Sequence, residues 1–265
     1  MNTRPNNFPP YTLPIILSGL AHFFLGASSL YWRELSEVPP TTLVACRIIL
    51  STAIISLFIL LFRRTTHKDL FKPKTLILHC IASLFLAANW GVFIGSSING
   101  HFFESGLGYL LAPFISVVLG IAIYREAVKT REIISICLAL SAITFFILLT
   151  DHLNHWTYLL IATTWGAYTY LKKASPLDAI NGIFVETLFL TICLALIIWL
   201  VDFEVLCPSE LISKSTRLIW LAGAVSITPL LLFSYATGKI PLSLTGLLQF
   251  ILPLTLIAIS LTALL

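Results

Sequence analysis

The chain has 265 residues, of which 58% are apolar (AVILMFWYC) and only 11% charged, and its mean hydropathy is +0.96. That composition excludes a soluble globular domain and a disordered chain alike. The net charge of +4 comes with no soluble lobe to carry a basic face, which excludes nucleic-acid binding as well.

Nine apolar runs, each near the roughly 20 residues a bilayer requires, follow one another at 12–32, 41–62, 75–97, 102–124, 132–149, 156–171, 179–200, 217–236 and 242–265. None shows the ten-residue apolar/polar alternation of a membrane β-barrel. The expected fold class is therefore all-α, a polytopic membrane protein with nine transmembrane helices. The first run has only Arg4 ahead of it and no A-x-A site, so it is expected to be a retained helix and not a cleaved signal. Connections are short, and the longest, DFEVLCPSELISKS, has 14 residues, which leaves no room for a separate lobe.

Basic residues sort by side. With a cytoplasmic amino terminus, the inner segments carry twelve: Arg4, Arg63, Arg64, Lys68, Lys72, Lys74, Arg125, Lys129, Arg131, Lys172, Lys173 and Lys239. The outer ones carry three, Arg33, Lys214 and Arg217. The asymmetry fits the positive-inside rule and places the chain in a cell inner membrane as a multi-pass protein. Cys46, Cys80, Cys137 and Cys193 fall inside spans and read as small hydrophobes, and Cys207 stands without a partner in its loop, so no disulfide framework is expected.

Three ionisable side chains stand inside the runs: Arg47 in the second, Glu104 in the fourth and Glu186 in the seventh. A charge in hydrocarbon costs several kcal/mol unless it is paired or faces a polar cavity, so each marks a solute or ion pathway or a structural pair. Arg47 and Glu186 each lie roughly 10–12 Å deep, from opposite sides. Their heads can meet, fixing helix register, or can clamp opposite ends of a solute. A buried Glu186 can also serve as a proton-coupling site. Glu104, near the outer end of its helix, is open to a solvated vestibule, a helix-dipole contact or substrate.

Short echoes relate the first run to the sixth (GASSLYW at 26–32, GAYTYL at 166–171) and the fourth to the ninth (Gly108 then Pro113, Gly246 then Pro253). An offset of five helices inverts the second copy, so the expected organisation is two repeats, residues 1–149 and 150–265, with helix two answering helix seven. The glycine–proline pairs are candidates for hinges, cavity lining or close packing, and Gly91-x-x-x-Gly95 for a helix contact. Tyr31, Trp32 and Trp156 read as an interfacial aromatic belt. His152-x-x-His155 has no further ligands beside it, so no metal site is expected.

The motifs Tyr31-Trp32, Arg47 with Ser51, Asn89-Trp90, INGHFFESGLGYLLAPFISVVLG (98–120), Glu186-Thr187, Thr228-Pro229-Leu230 and PLSLTGLLQFILP (241–253) run almost end to end. On them the chain resembles the RarD (chloramphenicol-sensitivity protein) family of the EamA-type drug/metabolite transporter superfamily. The resemblance implies a permease of ten helices in two inverted five-helix halves around a central cavity, and this sequence ends after the ninth. The second repeat is accordingly expected with four helices.

Substrate contacts are expected from Arg47, Glu186, Glu104, Asn89, Trp90, Tyr109, Tyr168 and Gln249, and hinge or lining roles from Gly108, Pro113, Gly246 and Pro253. The sequence contains no Walker A loop, H-E-x-x-H, G-x-S-x-G or paired aspartates, so neither an enzyme nor a nucleotide-driven pump is expected, and no cofactor. The leading expectation is a secondary transporter of a small organic metabolite or drug, with the bilayer as its surroundings and a proton or exchanged solute as coupling partner. A cation and an anion facing one cavity would suit a zwitterion, so exchange of S-adenosylmethionine for S-adenosylhomocysteine is one alternative. A non-transporting membrane scaffold is another.

Overall fold

The computed structural model describes residues 11–62, 68–98, 102–201, 205 and 217–262. In chain order the helices are α1 (Thr12–Arg33), α2 (Pro40–Phe62), a 3₁₀ turn (Lys68–Phe71), α3 (Pro73–Ile98), α4 (Phe102–Ala122), α5 (Thr130–Leu149), α6 (His155–Ala174), α7 (Ala179–Val201), α8 (Ala222–Thr237), α9 (Leu242–Gln249) and α10 (Ile251–Thr262). No strand occurs among the described residues, and the all-α, polytopic reading holds.

Eight stretches are long and apolar enough to cross a membrane, the last, Leu242–Ile259, combining α9 with most of α10. The helix α6 joins them by length, although four threonines, two lysines and a histidine lower its hydropathy. It can carry them because it sits inside the bundle, with ten buried residues between Thr157 and Lys172. Helix starts have local causes: Pro40 and Pro73 open α2 and α3 where a missing N–H costs nothing, and Asn154 Oδ1 accepts from Thr157 N–H at 3.3 Å to cap α6.

The ninth span breaks at Phe250. Pro253 supplies the reason: it has no N–H for the Gln249 carbonyl and its ring crowds that turn. Pro113 lies within α4 without ending it.

Packing follows a pattern. The helix α1 packs on α8 as α3 packs on α6; α1 packs on α10 as α4 packs on α6; α2 packs on α8 as α3 packs on α7; and α2 meets α7 as α4 meets α9. Two of the closest approaches share one spacing. A Cβ on Gly26 would lie 2.8 Å from Thr255 Cβ, and a Cβ on Gly166 would lie 2.6 Å from Ile115 Cγ2. An offset of 140 residues carries Gly26 to Gly166 and Ile115 to Thr255. The helix α5 leans on α4 at the periphery and buries no residue.

Of the roles open to the glycines of the glycine–proline pairs, close packing is the one their surroundings support. A Cβ on Gly108 would meet Ile161 Cβ at 2.7 Å, and one on Gly246 would meet the Pro113 carbonyl oxygen at 2.9 Å, so both are close-packing positions. At Gly91 and Gly95 a Cβ would meet nothing within 4 Å among the described residues, so these glycines are not close-packing positions there.

Candidate functional site

Two buried polar clusters occupy the bundle, and Arg47 and Glu186 belong to different ones. Of the two arrangements open to these heads, direct contact is not formed. Glu186 instead takes partners from nearer its own helix end: Lys172 Nζ donates to Oε1 at 2.8 Å, His79 Nδ1 lies 2.7 Å from the same oxygen, and Tyr168 OH donates to Oε2 at 3.0 Å. Glu186 and His79 are fully buried. A Cβ on Gly182 would fall 2.8 Å from His79 Cε1 and 3.1 Å from Lys172 Nζ, so the glycine makes the space in which the cluster assembles.

The reason for the altered partner is helix length. The sixth apolar run ends at 171 and leaves Lys172 in an inner segment, but α6 continues to Ala174, and its last turn carries Lys172 into the bundle beside α7. His79 stands between Leu78 and Cys80 in the apolar run of α3, and an ionisable ring inside such a run is itself a sequence signal for a buried polar partner.

Arg47 lies between two indoles. Its guanidinium carbon is 3.9 Å from the centroid of a Trp90 ring and 4.9 Å from that of Trp32. Trp32, expected at the membrane interface, is buried; Trp156 is 76% exposed. The side chain of Arg47 is only 3% exposed, and its Nε has no hydrogen-bond partner among the described residues. No carboxylate pairs with it among the described residues.

Arg47 lines a narrow cavity of about 20 Å³, room for about one water. Asn89, Tyr109 and Ser28 supply its polar wall; Trp90, Phe93 and Trp165, with Leu25, Leu252 and Leu256, supply the apolar one. The polar wall is internally satisfied: Tyr109 OH donates to Asn89 Oδ1 at 2.8 Å, and Asn89 Nδ2 donates to the Ile161 carbonyl at 3.2 Å and Thr164 Oγ1 at 3.1 Å. These bonds fix the amide while the guanidinium stays uncommitted.

The structure thus gathers Arg47, Asn89, Trp90 and Tyr109 around one cavity, and Tyr168 with Glu186 in the other cluster. Gln249 bridges helices, donating to Thr169 Oγ1 at 2.9 Å and accepting from Ser116 Oγ at 3.3 Å. Glu104, in the first turn of α4, accepts from the Asn154 N–H at 3.4 Å and ties α4 to the start of α6. Gly108, Pro113, Gly246 and Pro253 are not among the cavity-lining residues.

Contacts tie helices together at both ends of the bundle. At the end with loops 123–129, 175–178 and 238–241, here the basic face, Glu126 accepts from the N–H groups of Leu242 at 2.6 Å and Ser243 at 2.7 Å, capping α9. Lys173 Nζ donates to the Ile240 carbonyl at 2.7 Å beside it. At the opposite end Tyr31 OH donates to the Leu218 carbonyl at 2.9 Å. There Trp32, Leu35, Val38, Leu43, Ile94 and Ile219 form an apolar plug.

Membrane-length helices around a polar interior are the architecture of a multi-pass membrane protein, and known proteins carry the assignment on to a membrane transporter. The chain is 29% identical over 246 residues to an uncharacterized transporter of Pseudomonas aeruginosa, covering 90% of this chain and 80% of that one. It is 26% identical over 238 residues to protein RarD of Streptomyces exfoliatus (88% and 75% covered) and 23% identical over 258 residues to protein RarD of Escherichia coli (94% and 84%). No family model matches. A solved crystal structure superposes with a TM-score of 0.66 at 18% identity, covering 94% of this chain and 88% of that one, a likeness of fold. The relatives support assignment of this chain to the RarD family.

Proposed function

We propose that this transporter is a bacterial inner-membrane permease of the EamA type that moves a small organic solute by alternating access, with its central site at Arg47. The carrying observation is an arginine 97% buried (3% exposed) at a central cavity with no carboxylate partner among the described residues. A charge left unpaired in hydrocarbon surroundings is costly, and a solute that answers it recovers that cost. The contacts at the two ends fit an occluded state, with those of Glu126 and Tyr31 as the gates of the two faces.

The paired packing of α1 on α8 with α3 on α6, and the common 140-residue spacing of the Gly26 and Gly166 contacts, support two inverted repeats over 1–149 and 150–265. Such repeats supply the rocking motion of many secondary transporters. The basic residues of loops 123–129 and 238–241 support a cytoplasmic position for that face and for the amino terminus. Coupling to a proton or to an exchanged solute belongs to the same reading.

The test is flux. Purified protein in liposomes should accumulate solute under an imposed gradient or counterflow, and Arg47→Ala at equal reconstitution should lose at least nine-tenths of the rate. Equal flux in the variant removes Arg47 from the mechanism. Labelled S-adenosylmethionine competed by S-adenosylhomocysteine forms one arm; the clamp of Arg47 with Glu186 that favoured it is not assembled, because Glu186 is held by Lys172. A protein that neither moves nor binds any solute would be a scaffold.

A further inference from the structure

We infer that the Arg47 cavity selects a singly charged organic anion, a carboxylate or comparable oxyanion on an apolar or aromatic body. The inference rests on the permease reading and adds the charge class of the solute. Its basis is a balance of charge over the cavity wall: one guanidinium, three neutral polar side chains, and otherwise rings and leucines.

No carboxylate lines the cavity, and Glu186, the carboxylate deeper within the spans, has both its oxygens engaged, Oε1 by Lys172 and His79, Oε2 by Tyr168. A zwitterion would satisfy Arg47 with its carboxylate and leave its ammonium against neutral groups. A cation would meet the guanidinium directly. An anion brings the countercharge the wall lacks, and guanidinium N–H groups match an oxyanion in two-pronged geometry.

The rings define the rest of the solute. Trp32 and Trp90 hold the guanidinium by their π faces, a contact of about 0.5–2 kcal/mol that stands in for an anion without neutralising the charge. Phe93, Trp165 and Leu256 offer no hydrogen-bonding partner to a polar body beyond the Trp165 indole N–H, itself buried and unpartnered among the described residues. That second free donor can take a further acceptor on the anion. The present cavity admits about one water, so entry of a ring requires the gates to part.

Four probes with one phenyl body and different charges test the inference: phenylpyruvate, phenethylamine, phenylalanine and 2-phenylethanol. Binding to wild-type protein in nanodiscs is read by indole fluorescence, and uptake by liposomes. Phenylpyruvate should bind at least tenfold more tightly than the other three. Arg47→Gln should remove that preference and Arg47→Lys should retain part of it, with folding of each checked by size-exclusion profile. Equal or tighter binding of the amine or the zwitterion overturns the inference, as does binding of none of the four; neither result depends on a variant folding. Anion binding without uptake supports the site and overturns the permease reading, whereas uptake of the amine or zwitterion overturns the anion class and leaves the permease standing.

Discussion

Lys172 Nζ lies 2.8 Å from Glu186 Oε1 within the bundle, the two side chains 1% and 0% exposed. Removing one member of such a pair strands the other in a medium that cannot solvate it, at a cost of about 3–5 kcal/mol, whereas removing both charges is far cheaper. Lys172→Met and Glu186→Gln should therefore each lower the unfolding midpoint strongly. The double variant should be more stable than either single one, and a denaturant titration in detergent reads the cycle. Additive losses would mean that the contact carries no coupling.

The glycines give a second prediction. At Gly166 a methyl group would lie 2.6 Å from Ile115 Cγ2 and 2.9 Å from its Cβ, and overpacking of this kind costs about 1–3 kcal/mol. Gly166→Ala should lose that much stability and recover part of it in combination with Ile115→Ala. Gly91→Ala, where a Cβ meets nothing within 4 Å, should be neutral or gain up to about 1 kcal/mol from helix propensity. Equal melting shifts at the two positions would contradict the packing.

How much of this was legible in the sequence depends on the range of the interaction. Span number and limits follow from local hydropathy, and the break in the ninth span follows from Pro253; each needs only a few neighbouring residues. That Arg47 and Glu186 would be buried was legible for the same reason. Their partners were not, because pairing depends on helix rotation and on how far α6 runs past residue 171, and one extra turn brings Lys172 to Glu186 ahead of any more distant cation. Trp32 shows the same limit: its sequence position at a helix end suits an interfacial ring, and only the folded bundle, in which α1 and α2 both pack on α8, brings it onto Arg47. The echo of GASSLYW and GAYTYL was visible, but its physical content, two glycines admitting partners at an equal spacing, required coordinates.

Glu126 offers a third prediction. Its carboxylate accepts the Leu242 and Ser243 N–H groups at the start of α9, and loss of such a cap costs about 0.5–2 kcal/mol. Gly120 keeps the route open, since a Cβ there would lie 2.8 Å from Glu126 Oε2. In a cysteine-free background, Ser243→Cys should react slowly with a membrane-impermeant maleimide applied from the basic face. Adding Glu126→Ala should raise that rate several-fold; an unchanged rate would show that the cap does not hold this end closed.

The last prediction separates stability from function at one residue. Arg47 is buried with its Nε unpartnered and its charge answered by ring faces alone, an arrangement that costs folding free energy instead of supplying it. Arg47→Met keeps much of the side-chain length and removes the charge, so it should raise the stability of the solute-free protein by about 1 kcal/mol or more while abolishing flux, a trade expected where a site is kept for binding. Melting curves and liposome uptake on one preparation give both halves. Lower stability with flux lost would mean that the indoles compensate the charge fully and that Arg47 holds the fold; higher stability with flux intact would place the solute elsewhere in the bundle.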